Sequence, residues 1–226
     1  MRTLLRLFFR LLYHQFAFTY DLVAATVSLG RWKDWVLSVV PFIEGTHVLE
    51  IGHGPGHLQR VLLGRNLVAL GIDESAQMGR LARRNLRRSF SKTQPSASNG
   101  PHHGYTQISL TRGVSQSLPF SGNTFETILA TFPSNYITDP RTLAEVKRCL
   151  TRAGRLIVLP VAWPRNPLLD WLFRVTGESP AAALEPVKSK FKQPFVEAGF
   201  ETEIKMLDVK TGILLIILAR SSSEER

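Results

Sequence analysis

Several residue types and patterns that would assign a protein class at once are scarce or absent in this 226-residue sequence. It has a single cysteine, Cys149, which excludes an internal disulfide framework and a cysteine-rich zinc site. No stretch reaches the ~18 uninterrupted apolar residues that a membrane-spanning helix requires. Apolar residues nevertheless make up 44% of the chain and charged residues 20%, so a hydrophobic core can form and global disorder is excluded. The length suits one α/β domain or two very small ones.

Acidic residues are missing from one long segment, Ser75–Phe125, and the chain as a whole carries a formal charge of +10. Arginines that recur at i, i+3, i+4 and i+7 form one stripe on a helix. We favour a solvated outer face for this stripe, and the alternative is a surface that meets phosphates, anionic lipid or an acidic substrate. The basic residues of the segment are Arg80, Arg83, Arg84, Arg87, Arg88, Lys92 and Arg112.

The amino-terminal segment has no small-residue cleavage site soon after its apolar stretch, so it is not predicted to be a signal peptide. Arg2, Arg6 and Arg10 recur every four residues between leucines and phenylalanines. Residues 1–18 are interpreted either as a basic amphipathic helix on an anionic membrane surface or as a helix that packs on the domain as a lid. We expect residues 1–40 as a whole to form amino-terminal helices, either as a lid or as a membrane-surface element. The protein is expected to be cytoplasmic, and membrane-peripheral under the first interpretation.

Apolar runs and helical patterns alternate along the rest of the chain, 41–226, which we assign to one domain. The loop 89–103 is rich in Ser, Pro, Asn and Gly and is predicted to be flexible. Its His102–His103 pair has no Cys, Asp or Glu nearby, so no metal site is expected. The alternation predicts an α/β three-layer sandwich with a mainly parallel seven-stranded sheet, its last strand antiparallel. Strands are predicted at 47–52, 67–73, 105–112, 124–132, 155–161, 201–209 and 213–219, and helices at 56–63, 75–90, 140–150 and 191–198.

Three glycines alternate directly after the first predicted strand, in the sequence Glu50-Ile51-Gly52-His53-Gly54-Pro55-Gly56-His57. Glycine tolerates positive φ and lets a ligand approach the backbone, and the start of the following helix offers free N–H groups. Asp73 ends the second strand, where a carboxylate can accept both hydroxyls of a ribose. These features predict a nucleoside site where the strand order of the sheet reverses. A dinucleotide site is not indicated, because His57 stands where G-x-G-x-x-G has its third glycine.

The pattern E-I-G-x-G-x-G followed by G-I-D resembles the S-adenosylmethionine site of the Rossmann-like (class I) methyltransferase family. Leu118-Pro119-Phe120 ahead of Phe125-Glu126 is similar to the "LPF…FD" stretch of that family, and Pro140–Leu159 is similar to its helix and following strand. The similarity covers Phe42–Leu159 well and the closing strands loosely. Tyr20-Asp21, Ser28-Leu29-Gly30 and Trp32 add a weak similarity to the quinone-biosynthesis methyltransferases.

This resemblance implies S-adenosylmethionine as cofactor and assigns a role to each motif residue. Glu50 would order the loop, the three glycines would line the methionine end, and Asp73 would bind the ribose. Where the family often has Asp-Ala to hold the adenine amino group, this chain has Val114-Ser115, so backbone or Ser115 contacts replace that carboxylate or cofactor binding is weakened. The predicted cofactor contacts are Glu50, Gly52, His53, Gly54, Gly56, Asp73, Glu74, Val114, Ser115 and Thr131, and Phe132 would border the transferred methyl group beside Thr131.

We therefore expect an S-adenosylmethionine-dependent methyltransferase with a small-molecule acceptor. The segment Trp163–Val175 is interpreted either as the wall of an apolar acceptor pocket or as simple core. The Thr131–Ser134 segment lacks the Asn/Asp-Pro-Pro-aromatic motif used for planar amino groups, which argues against DNA base methylation. Two alternatives remain: a noncatalytic nucleotide-binding or membrane-surface module on the same fold, and an RNA methyltransferase that uses the arginine stripe.

No catalytic base is assigned from the sequence. An oxygen or carbon nucleophile can require one. No spacing selects among the candidates, which are His14, Tyr20, Asp21, His53, His57 and Glu178.

Overall fold

The computed structural model describes residues 32–65, 67–93, 109–164 and 185–221. The chain divides into two compact units, Met1–Asp34 and Trp35–Arg226. The second unit begins at Trp35, whereas the sequence analysis places the boundary after residue 40. Trp35, Val36 and Val39 are buried. The helices predicted for residues 1–31 lie outside the described residues.

A seven-stranded sheet forms the centre of the second unit. The strand order is β3-β2-β1-β4-β5-β7-β6; β1, β2, β3, β4 and β5 pair in parallel, and β7 runs antiparallel to both β5 and β6. The predicted α/β fold and its antiparallel last strand are confirmed. The strands are β1 (His47–Ile51), β2 (Val68–Asp73), β3 (Ser109–Arg112), β4 (Phe125–Thr131), β5 (Leu150–Pro164), β6 (Phe200–Val209) and β7 (Gly212–Ser221).

The helices that connect these strands follow the predicted alternation. Short 3-10 turns stand at Val40–Phe42, Leu63–Arg65 and Asn135–Thr138. None of the helices in the described part of the chain is long and apolar enough to cross a membrane. The α-helices are α1 (Trp32–Leu37), α2 (His57–Leu62), α3 (Ala76–Thr93), α4 (Pro140–Cys149) and α5 (Glu185–Glu197).

The core lies on the central strands, which are buried along most of their length. In β4, Ile128, Leu129 and Ala130 are all inaccessible to solvent, as expected for a parallel strand with both faces covered. Leu143 and Val146 of α4 pack against this cluster. Each fully buried aliphatic side chain of this kind contributes about 1.5–3 kcal/mol to folding.

Five elements extend beyond their predicted bounds: α3, β5 and α5 by three or more residues at one or both ends, and β6 and β7 by one or two. Helix α3 continues to Thr93, into the segment predicted as a loop, because no Gly or Pro stands between Phe90 and Pro95 to end it. Residues 94–103 lie outside the described part. Strand β5 runs to Pro164 because its far half pairs with β7, up to Pro164 opposite Gly212. Helix α5 begins at Glu185 and is followed by Gly199, whose φ of +76° suits the position after a helix end.

Candidate functional site at the carboxyl ends of β1, β2 and β4

The strand order reverses at β1, which lies between β2 and β4. In the register of the sheet, Ile51 stands opposite Ile72, and Glu50 stands opposite Leu129. The glycine loop (residues 52–56), Asp73 and Thr131 therefore follow strand ends at one edge of the sheet. Open α/β sheets bind ligands at this kind of edge.

All three glycines of the loop adopt the left-handed conformation, with φ of +72° at Gly52, +50° at Gly54 and +80° at Gly56. A Cβ atom on Gly52 would collide with the Tyr136 hydroxyl, and one on Gly56 would lie 3.0 Å from the Ala82 Cβ. A Cβ atom on Gly54 would meet nothing within 4 Å. Gly52 and Gly56 are thus required by packing, whereas Gly54 presents bare backbone to open space.

Asp73 connects the glycine loop to the next helix. Its Oδ2 accepts the Gly54 N–H at 2.9 Å, and its Oδ1 accepts the Ser75 N–H at 2.8 Å. The Ser75 Oγ in turn accepts the Met78 N–H at 3.3 Å and so caps the amino-terminus of α3. Each carboxylate oxygen keeps a second lone pair that a ligand hydroxyl can use.

A cleft of about 650 Å³ opens beside the ends of β2 and β3, lined by Glu74, Ser75, Arg112, Gly113 and Val114. Its volume suits a small-molecule ligand. The Arg112 Nε donates to the Glu74 carbonyl oxygen at 3.0 Å and so holds one side of the cleft. Val114 is 45% exposed there. The structure thus places the predicted residues Glu74 and Val114 at this cleft.

The structure places two other predicted ligand contacts, Ser115 and His53, away from the cleft beside β2 and β3. Ser115 is only 7% exposed, and its hydroxyl lies 3.0 Å from the Thr142 Oγ1 instead of at the cleft. His53 is 3% exposed, and its Nδ1 lies at hydrogen-bond distance, 2.8 Å, from the Gly54 carbonyl oxygen. Its ring packs beside Gly71. Both side chains are buried within their own loops, and the His53 Nε2 has no hydrogen-bond partner among the described residues.

Glu50 is 2% exposed and accepts a hydrogen bond from the Gln59 Nε2 at 2.8 Å. Burial raises the pKa of Glu50 to about 8; the Gln59 hydrogen bond opposes this rise and the negative charge of Asp73 adds to it. The carboxyl group is therefore protonated at neutral pH. Its hydrogen bond with Gln59 joins β1 to α2, the two elements that flank the glycine loop.

Tyr136 is a site residue that the sequence analysis missed. It comes from the 3-10 turn after β4, and its hydroxyl donates to the Ile51 carbonyl oxygen at 3.3 Å while facing Gly52. Burial raises its pKa, and the charges of Asp73, Glu50 and Glu74 raise it further. An aromatic residue shortly after β4 was the only local signal, and it does not reveal a contact across 85 positions.

Aromatic side chains accompany the carboxyl end of β4. Phe132 has a φ of +49°, which is unusual for a bulky residue, and its N–H donates to the Leu159 carbonyl oxygen at 2.7 Å. Its ring centroid lies 6.5 Å from that of Trp35. The Trp35 Nε1 donates to the Thr211 Oγ1 at 2.8 Å, so the indole is held in place.

Most of the candidate bases lie outside the described residues: His14, Tyr20, Asp21 and Glu178. Of the segment Trp163–Val175, interpreted either as a pocket wall or as core, only Trp163 and Pro164 are described. The two remaining candidates are described: His57 is partly buried at the start of α2, and His53 is buried within the glycine loop.

A family model described as "Methyltransferase domain" matches residues 49–158, which include the glycine loop, Asp73 and the end of β4. The chain is 29% identical over 237 residues to the demethylmenaquinone methyltransferase of Symbiobacterium thermophilum, a match that covers 89% of this chain and 88% of that protein. It is 28% identical to the ubiquinone/menaquinone biosynthesis C-methyltransferase UbiE of Hahella chejuensis, over 69% of this chain and 60% of that protein. The latter match spans less than two thirds of that relative.

Solved structures resemble the chain in fold. An S-adenosylmethionine-dependent methyltransferase from Aquifex aeolicus superposes with a TM-score of 0.55 at 16% identity, covering 82% of this chain and 88% of that one. The magnesium protoporphyrin IX methyltransferase ChlM of Synechocystis, solved with bound S-adenosylhomocysteine, gives a TM-score of 0.51 at 17% identity, covering 84% and 83%.

Proposed function

The chain belongs to the Rossmann-like (class I) family of S-adenosylmethionine-dependent methyltransferases, and we propose that it methylates a small, apolar acceptor of the quinone type. The cofactor supplies a methyl group on a sulfonium, which is transferred by in-line displacement and leaves a neutral thioether. Positioning and exclusion of water provide most of the acceleration of such a step.

The observation that carries the cofactor assignment is the double hydrogen bond of Asp73 to Gly54 and Ser75. It fixes a carboxylate between an open glycine backbone and the cleft at β2 and β3. The residues present fit an adenosyl group, because the carboxylate retains acceptor capacity for hydroxyls and a Cβ at Gly54 would occupy otherwise open space.

The proposed contacts follow from this placement. The loop 52–56 would hold the methionine end, Asp73 with Glu74 the ribose, and Val114 the adenine. Because the Ser115 hydroxyl is directed to Thr142, adenine would be held by apolar contact with Val114 and by backbone groups. Thr131 would border the methyl group.

The acceptor class is supported by the side chains at the end of β4 and by the names of the relatives. Phe132 is partly exposed there and is backed by the buried Trp35, and relatives that match 89% and 69% of the chain are named as quinone methyltransferases. Aromatic side chains of this kind hold an apolar ring by contact area and exclude water from it.

Calorimetry tests the cofactor site. The wild-type chain is expected to bind S-adenosylmethionine saturably, and Asp73→Ala to weaken binding roughly 30- to 100-fold, because two hydrogen bonds to a charged group are lost. Asp208→Ala, an exposed aspartate on β6, is the matched control and is expected to leave the affinity unchanged. Equal affinities for the wild type and Asp73→Ala would contradict the site.

Transfer of a labelled methyl group tests the acceptor. A demethylated quinol with a shortened tail is compared with small polar amines of similar size. Turnover confined to the quinol is expected. Turnover confined to the amines would refute the acceptor class while leaving the cofactor site intact.

A further inference from the structure

Helix α3 presents five arginines to solvent, and we call this surface the arginine face: Arg80, Arg83, Arg84, Arg87 and Arg88. Their side chains surround a shallow concavity of about 360 Å³. The opposite side of the helix is anchored by Ala82 and Leu86, which are buried against the domain. The arginine face is therefore held in one orientation by the fold.

The arginine face is connected to the cofactor cleft. The Arg83 guanidinium donates from Nη2 to the Leu110 carbonyl oxygen of β3 at 3.1 Å. Two residues further along the same strand, Arg112 lines the cleft. Positive charge thus extends from the helix along the edge strand to the cleft.

The composition around this surface favours a large anionic partner. No Asp or Glu occurs between Ser75 and Phe125, so α3, β3 and their connection contribute no carboxylate. Leu81, next to Arg80, is 40% exposed on the same helix. Basic residues with an exposed leucine beside them are typical of helices that lie on anionic membranes.

We propose that the arginine face docks the enzyme on an anionic lipid bilayer. This inference rests on the proposed function, because an apolar acceptor partitions into the bilayer and an enzyme that meets it there gains from surface attachment. RNA is the less favoured partner: single-stranded RNA is held largely by stacking on aromatic side chains, and Arg80–Arg88 contains none.

Vesicle sedimentation of the full chain tests the proposal. Vesicles of phosphatidylcholine containing phosphatidylglycerol are compared with phosphatidylcholine alone. The variant Arg80→Gln/Arg84→Gln/Arg88→Gln removes three charges from the arginine face and leaves the Arg83 contact in place. The control Arg60→Gln/Arg65→Gln/Arg152→Gln removes three exposed charges from other surfaces, so both variants have the same net charge.

We expect the wild type to bind the anionic vesicles and to be released by high salt. The face variant should bind them roughly tenfold to hundredfold more weakly, since each cation near the surface is worth about fivefold, and the control should bind like the wild type. Unchanged affinity of both variants for S-adenosylmethionine shows that they are folded.

Three results would overturn the proposal. The first is vesicle binding that the face variant retains, which would assign it to another segment such as residues 1–18. The second is an equal loss in both variants, which would indicate net charge alone. The third is a wild-type protein that does not bind the anionic vesicles. This outcome includes a protein that binds RNA through these arginines instead. Methyl transfer is measured in a separate assay. If the proposed quinone-type acceptor is wrong, the vesicle-binding result therefore still stands on its own.

Discussion

At the ends of β1 and β2 the candidate site consists of backbone amides and carboxylates, whereas at the end of β4 it consists of aromatic rings. The first region is tied together by the hydrogen bonds of Asp73 and by the buried Glu50–Gln59 pair. In the second, Phe132 packs near Trp35, and Tyr136 reaches back to Ile51. We call the first the polar region and the second the aromatic region. The polar region is suited to binding polar groups, and the aromatic region to the shape of an apolar molecule.

The two regions also differ in how they carry backbone strain. Positive φ falls on glycines in the first region, where it costs little, and on Phe132 in the second, where it costs about 1–2 kcal/mol. The fold keeps this strain at Phe132 through its hydrogen bond to Leu159. Such strain at a bulky residue points to a position set by function. Cofactor binding and acceptor binding should therefore respond to different substitutions.

The largest expected effect concerns Glu50, in the polar region. Its pKa is raised from 4.5 to about 8, so the native state holds a proton that the unfolded state releases between these values. The free energy of unfolding should fall as pH rises through this window, by as much as about 5 kcal/mol. Glu50→Gln stays neutral and should lose this component of the pH dependence, which is measured by urea unfolding at a series of pH values.

Glu201→Gln, an exposed glutamate at the start of β6, is the control and should keep the wild-type pH profile. A Glu50→Gln profile parallel to that of the wild type across the window would show that Glu50 is ionised in the native state.

The next effect separates two glycines within the polar region. Gly52→Ala should lower the free energy of unfolding by about 2–4 kcal/mol, through positive φ and collision with the Tyr136 hydroxyl. Gly54→Ala has only the conformational cost of about 1 kcal/mol, and its methyl group enters open space. It should instead weaken S-adenosylmethionine binding roughly tenfold.

Thermal unfolding of the same two variants measures the loss of stability, and calorimetry measures their affinity for S-adenosylmethionine. The double variant Gly52→Ala/Tyr136→Phe should recover part of the lost stability, because the colliding oxygen is gone. Equal destabilisation by both alanines, with equal cofactor affinity, would show that Gly54 does not face the ligand.

The polar region could be predicted from the sequence because its determinants are local. Alternating glycines after a strand, and an aspartate at the end of the next strand, specify Gly52, Gly54 and Asp73 without knowledge of the rest of the chain. Alternating strands and helices likewise predict the parallel order around β1. Burial of the His53 and Ser115 side chains could not be predicted, because it depends on Gly71 and on Thr142, which come from other elements.

The aromatic region was harder to predict, because its contacts join distant segments. Trp35 meets Phe132, and Tyr136 meets Ile51, through the sheet order and a short 3-10 turn. Nothing local to these residues marks the contacts. The length of β5 depends in the same way on pairing with β7. Sequence patterns therefore predict the polar region of the candidate site better than its aromatic region.

The smallest expected effect tests the aromatic region directly. Phe132→Leu keeps an apolar side chain but removes the ring, and it should lower kcat/KM for the quinol about tenfold through lost contact with the acceptor. The affinity for S-adenosylmethionine should stay within about twofold, because Phe132 lies outside the polar region. Phe120→Leu is the matched control: Phe120 packs edge-on against the core residue Phe125, at the opposite, amino end of β4.

The control should change thermal stability but neither kinetic nor binding constants. If Phe132→Leu instead weakened cofactor binding and acceptor turnover to the same extent, the two regions would act as one unit. The aromatic ring would then serve the cofactor, and the acceptor pocket would have to be formed elsewhere.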